Sequence, residues 1–208
     1  RSALYNNTTG VSNSAFGTYA MTANTTGDFN TAVGRSALTN NTFGRYNTAV
    51  GYASLLNNTT GINNVSVGLN SLQGNTIGTN NISIGRDALY TNTAGGANVA
   101  IGFQTLYYNT ASNSTAVGYR ALHSNTTGAP NCAFGLYALR NNTSGQRNNA
   151  VGYEALRANT FGNDNNAFGN AALYGNTTGS NNNAFGKYSL IANVVGNNNS
   201  AFGHAALS

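Results

Sequence analysis

Residues 36–51 read SALTNNTFGRYNTAVG, and 17 residues after that stretch begins, residues 53–68 read ASLLNNTTGINNVSVG. The same order of small, apolar, amide and glycine residues returns in both. The closing glycine recurs at Gly17, Gly34, Gly51, Gly68, Gly85, Gly102, Gly118, Gly135, Gly152, Gly169, Gly186 and Gly203, every step being 17 residues except the 16 between Gly102 and Gly118. The 208 residues are therefore twelve units and a five-residue remainder. Self-similarity at a short fixed period is the signature of a stacked repeat architecture.

With the slots of a unit numbered 1 to 17 and the closing glycine last, slot 16 is always Val, Ile or Phe, and slot 15 always Ala or Ser. Slot 4 is Leu except at Met21, and slot 3 is Ala, Ser or Thr. Slot 7 is Asn in all twelve units, while slot 13 is Asn and slot 10 is Gly in eleven. Seventeen residues are too few for a helical repeat pair, which takes ~33 or more. Gly, Asn and Thr are also poor helix formers. The expected fold is all-β: a parallel β-solenoid (β-roll or β-helix) of twelve coils of about 17 residues, with room for one helical turn at slots 2–6. Stacking at ~4.8 Å per coil would give a rod of ~58 Å.

Stacking gives each recurrent slot a task. Leu38, Leu55 and Leu72 (slot 4) and Val50, Val67 and Ile84 (slot 16) are expected to form the core columns. Asn24, Asn41, Asn58, Asn75 and Asn92 (slot 7) are expected to form a ladder of side-chain amides, as in cross-β stacks. Gly27 and Gly44 (slot 10) and Gly34 and Gly51 (slot 17) mark corners where the backbone needs positive φ or close approach of a neighbour. The short unit, NTASNSTAVG at its end, lacks the slot-10 glycine, a deletion at a turn. The Asn-x-Thr sequons that recur along the chain are accounted for by these ladder positions.

Slots 15 and 16 are neighbours and both apolar, as are slots 3 and 4. Adjacent strand residues point to opposite faces, so one member of each pair can enter the coil. Either the small residues sit at a crowded corner, or a second dry face exists, buried against further copies of the chain around an axis. Residues 1–208 read as a single repeat array that starts at slot 1 and stops at slot 5. Solenoids carry capping repeats, so the array is expected to be an uncapped segment of a longer fibre protein.

Composition narrows the function classes. Only 6% of residues are charged, against about 25% in ordinary domains. At 40% the hydrophobic share is too high for a disordered linker. The net charge of +5 is spread without a basic run, so no nucleic-acid partner is expected. No apolar run approaches the ~18–20 residues of a membrane span, so no membrane insertion is expected, and no basic-then-apolar leader opens the chain. The single cysteine, Cys132, stands in a slot that elsewhere holds Thr, Val, Ile, Ser or Asn.

No catalytic, cofactor or metal constellation emerges, and no enzymatic function is expected. The four acids, Asp28, Asp87, Glu154 and Asp164, fall in slots 11, 2, 2 and 12, and only Glu154 and Asp164 could approach each other. His123 and His204 are five coils apart. The recurrent oxygen donor is Asn, without the repeated carboxylates that calcium sites use. The twelve tyrosines occupy only slots 1, 2, 5, 6 and 12. Tyr52, Tyr90, Tyr107, Tyr119, Tyr137 and Tyr153 are candidates for a recognition face for a sugar or a partner chain, because tyrosine offers a rigid ring with a polar tip. Packing of those rings over neighbouring coils is the structural alternative.

The stretch NTAVGRSALTNNTFGRYNTAVGYASLLNNTTG, residues 30–61, resembles the NTAVGYxALxxNTTGxxN repeats of phage and viral tail-fibre proteins, and the likeness runs through all twelve units. More distantly, the AVG/AIG step is similar to the head repeats of trimeric autotransporter adhesins, whose unit is shorter. The resemblance implies a homotrimeric fibre, an extracellular or virion-surface location, and attachment to a host through a cell-surface glycan or protein receptor. Such fibres often carry a self-cleaving chaperone domain. These residues contain none, so no processing activity carries over. The expected function is a fibre shaft or adhesin segment that positions a receptor-binding tip. A self-assembling extracellular filament or sheath, joined end to end, is the alternative. Ice binding is a lesser one, because slot 8 makes a threonine column but slot 9 is Thr in only five units.

Overall fold

The structure, a computed structural model, describes residues 2–208. It contains two compact units, Arg1–Gln104 and Thr105–Ser208. The first holds the strands β1 (Ser14–Phe16), β2 (Thr31–Val33), β3 (Thr48–Val50), β4 (Val65–Val67), β5 (Ile82–Ile84) and β6 (Val99–Ile101). The second holds β7 (Thr115–Val117), β8 (Cys132–Phe134), β9 (Asn149–Val151), β10 (Asn166–Phe168), β11 (Asn183–Phe185) and β12 (Ser200–Phe202). Within each unit every strand pairs in parallel with the next, slot upon slot: Ala32 faces Ala49 and Val33 faces Val50 in one, Ala167 faces Ala184 and Phe168 faces Phe185 in the other. This is a parallel β-solenoid, all-β, with no helix among the described residues.

The strands are short because the rest of each coil is a series of corners, and each corner has a backbone reason. Slots 2 and 4 both take left-handed dihedrals, as at Ser36 (φ 59°) and Leu38 (φ 53°). The helical turn admitted at slots 2–6 therefore does not form. Left-handed Leu costs about 1–2 kcal/mol. The gain is that two consecutive side chains, Ala37 and Leu38, both turn inward and lie fully buried. Burying a leucine contributes about 1.5–3 kcal/mol, and the Leu38 N–H also donates to Ser54 O of the next coil at 3.0 Å.

The two glycine slots answer different needs. Gly34 and Gly51 have φ of +128° and +129°, a region closed to side chains. Gly27 and Gly44 are demanded by crowding. A Cβ on Gly27 would lie 2.6 Å from Asn24 Oδ1 and 2.8 Å from Asn41 Nδ2.

That crowding is the asparagine ladder. From Asn24 to Asn92 and from Asn125 to Asn193 each slot-7 amide donates to its counterpart one coil back and to the slot-10 carbonyl of its own coil, whereas Asn109, whose coil lacks the slot-10 glycine, donates to Ala111 O at 2.8 Å. Asn41 Nδ2 reaches Asn24 Oδ1 at 2.7 Å and Gly44 O at 3.0 Å. Asn58 continues the ladder to Asn41 at 2.8 Å, Asn75 to Asn58 at 2.8 Å and Asn92 to Asn75 at 3.0 Å. Slot 13 forms a second ladder, in which Asn30 Nδ2 links Asn13 Oδ1 at 3.2 Å to Gly44 O at 2.8 Å. Apart from Asn92 Oδ1, which is buried without a partner, these fully buried amides are satisfied and tie successive coils together within each unit, which fixes register where backbone alone would allow slippage.

The interior differs from expectation at slot 16. Val50 and Val67 are half-buried and Ile84 is 38% exposed, all on the outer face of the sheet. The inward places belong to slot 15: Ala49, Ser66 and Ser83 are fully buried. The reason is width. Ser54 Oγ of slot 3 meets Ser66 Oγ of slot 15 across the coil at 2.8 Å, and Ser71 Oγ meets Ser83 Oγ at 2.7 Å. A gap that two hydroxyls span has no room for a branched side chain. Leu38, Leu55 and Leu72 do form the core column, with Ala and Ser opposite them.

Candidate interaction faces

Turning slot 15 inward turns slots 14 and 16 outward. Slot 16 holds only Val, Ile and Phe, and slots 14 and 16 together carry no charged residue in any unit. In the second unit the rings of Phe168, Phe185 and Phe202 stack along the face, 4.9 and 5.1 Å apart and within 6° of parallel. Beside them Asn149 donates to Asn166, and Asn166 to Asn183, each at 2.8 Å. In the first unit Val33 and Ile101 remain 39% and 37% exposed. A regular apolar strip left open to solvent is an interaction surface by the usual criterion. Cys132 occupies slot 14 on this face, half-buried. Burial pushes its thiol up from the ordinary value, which is the reverse of an activated nucleophile.

The tyrosines fall into two settings. Tyr52 is exposed beneath Arg35, whose guanidinium carbon lies 5.8 Å from the ring centre, and Tyr90 is half-buried in the same unit. Tyr107, Tyr119 and Tyr137 are brought together in the second unit. Tyr119 meets Tyr137 edge-on at 5.5 Å, and Tyr107 stacks on His123 at 5.5 Å. Tyr153 stands exposed in slot 1, two coils on from Tyr119.

Cations accompany these rings, a feature that reading the basic residues along the chain does not reveal. Arg120 lies 5.5 Å from the Tyr119 ring centre; Arg140 and Arg157 lie 5.1 and 5.4 Å from that of Tyr137. The signal was present in slot 5 read down the stack: Tyr107, His123, Arg140, Arg157, Tyr174. His123 is pushed down to about 4, first by burial and then by the charges of Arg120 and Arg140.

Glu154 and Asp164 do not meet. Glu154 accepts from Arg157 at 2.6 Å, and Asp164 is held by Arg147 through two bonds of 2.7 and 2.8 Å. That hydrogen-bonded pairing depresses the Asp164 carboxyl below its ordinary value. The slot-8 hydroxyls are committed within the stack, Thr25 Oγ1 donating to Thr42 O at 3.0 Å and Thr42 Oγ1 to Thr59 O at 3.1 Å. No group of three or more His, Cys, Asp or Glu lies together among the described residues. Nor is any helix there long and apolar enough to cross a membrane.

The fold and its open faces define the class: a structural repeat protein of the parallel β-solenoid type. Set against protein-family models, curated proteins and solved structures, the chain matches none of them.

Proposed function

We propose that the chain is a fibre segment whose coils assemble with further copies of itself through the outward face of slots 14 and 16. The observation that carries this reading is the uncharged strip of Val, Ile and Phe, repeated once per coil, such as Ile82, Ile84 and Ile101 in one unit and Phe168 and Phe185 in the other. Its period selects its partner. A ladder of like side chains spaced ~4.8 Å apart packs dry against another ladder of the same spacing, and a second copy supplies one.

The sequence resemblance to tail-fibre repeats gives the assembly as a homotrimer at an extracellular or virion surface. Its role there is mechanical: a shaft or adhesive spacer that holds a receptor-binding tip away from the surface that bears it. The amide ladders, which link successive coils within each unit, suit such a load. The test is mass in solution, with charged substitutions in slot 16 as the control. A wild-type chain that stays single at micromolar concentration would overturn the reading.

A further inference from the structure

The second unit also presents a cationic ladder at slots 1, 2 and 5, and the self-assembly just described makes no use of it. The three guanidiniums of Arg120, Arg140 and Arg157 lie over tyrosine rings at 5.1–5.5 Å. One acid, Glu154, is near, and Arg157 occupies it at 2.6 Å; Arg157 also donates to the Tyr174 hydroxyl at 3.1 Å. Asp164, the other acid of the unit, is held by Arg147. Arg140 therefore has no carboxylate, and its Nε is buried without a hydrogen-bond partner. His123, pushed down first by burial, is lowered further by the charges of Arg120 and Arg140 beside it.

We propose that this ladder binds an extended acidic glycan, with a carboxylate or sulfate on the terminal guanidinium nitrogens of Arg140 and the sugar hydroxyls on the tyrosine tips beside it. Three features select that class. The surface is an open ladder and no pocket is present among the described residues, so it suits a chain laid along the stack rather than a small molecule. Arg140 and Arg157 share slot 5 in successive coils, ~4.8 Å apart, a step comparable with one sugar ring, and Arg120 stands in slot 2 of the coil before. Nucleic-acid binding would use open ring faces for base stacking. Here Tyr137 is taken by two guanidiniums and Tyr107 by the imidazole of His123. What the arginines themselves offer a ligand is charge and hydrogen bonding, and a guanidinium matches a carboxylate or sulfate in geometry.

The test is fluorescence anisotropy with labelled heparin oligosaccharide and labelled polygalacturonate oligosaccharide at ~0.15 M salt. Neutral dextran and oligothymidylate serve as competitors. At least one acidic glycan binds, heparin alone assigning sulfate and polygalacturonate alone assigning carboxylate, and dextran does not compete. Arg140→Gln and Arg120→Gln each weaken binding about tenfold, the loss of one charge-assisted contact. Arg45→Gln, which lies in the other unit and pairs with Asp28, leaves it unchanged. Circular dichroism checks the fold, and Arg120→Gln carries the test if Arg140→Gln does not fold. Absence of binding to either glycan, equal binding by the folded variants, or displacement by oligothymidylate at lower concentration than by unlabelled glycan would each overturn the proposal. Sedimentation of the same samples reads the assembly separately.

Discussion

Ser54 Oγ lies 2.8 Å from Ser66 Oγ across the interior of one coil, and Ser66 Oγ passes its own hydrogen to Ser71 O of the next coil at 2.7 Å. That single span sets the width of the coil and decides which side chains face in. Ser66→Val puts a branched side chain into the span and leaves Ser54 Oγ only the Ser66 carbonyl, 2.9 Å away. The expected loss is about 1–3 kcal/mol from overpacking. The double change Ser54→Ala with Ser66→Ala keeps volume, removes both partners and stays within about 1 kcal/mol of wild type. Urea midpoints read both.

Leu55 and Val67 belong to the same coil and face opposite ways. Leu55 is fully buried, so Leu55→Ala opens a cavity and costs about 2–5 kcal/mol. Val67 is half-buried on the outer sheet face. Val67→Ala costs under about 1 kcal/mol in a single chain, measured by denaturation at concentrations too low for association. Equal losses would mean that slot 16 is a core slot after all.

Asn58 donates to Asn41 Oδ1 at 2.8 Å and to Gly61 O at 3.0 Å, and accepts from Asn75 at 2.8 Å. Asn58→Asp turns a donor into an acceptor facing two acceptors in a buried place. A loss of about 3–5 kcal/mol is expected, visible as a shift in thermal midpoint. Gly44→Ala strikes the same ladder from the other side, because its Cβ would sit 2.6 Å from both Asn58 Nδ2 and Gly61 O.

Acid weakens the second unit through His123. Its folded value is about 4 against an ordinary 6.5, so between those limits the unfolded chain holds more protons and stability falls as pH drops. Above pH 6.5 the contribution is complete. His123→Gln should flatten the stability profile between pH 6.5 and 4 and leave it unchanged above. Asp164 acts lower: its carboxyl is depressed below the ordinary 3.8 by Arg147, so its contribution is lost only as pH falls further.

Much of this was legible in the sequence. The period fixed parallel stacking, and invariance alone marked Leu38 as core and Asn41 as a ladder residue, as the structure places them. Two things were not legible. Hydrophobicity ranks Val50 above Ala49 for burial, yet the narrow coil admits the smaller side chain; width is a property of two facing walls and is not written in either. Left-handed dihedrals at Leu38 and Leu55 (both φ 53°) run against residue preference, so nothing in the side chain announces them. The cationic ladder was hidden for a different reason. Arg120, Arg140 and Arg157 are far apart along the chain and become neighbours only when slots 2 and 5 are read down the stack.

Sedimentation equilibrium at micromolar concentration tests the central claim most directly, on the wild-type chain and on a variant carrying Phe168→Asp and Phe185→Asp. The account predicts that the wild type sediments at a multiple of its 21.4 kDa chain mass, threefold for a trimer. It predicts that the variant, with an unchanged circular dichroism spectrum, sediments as a single chain. A wild-type mass of 21.4 kDa, or a folded variant that still associates, would contradict it.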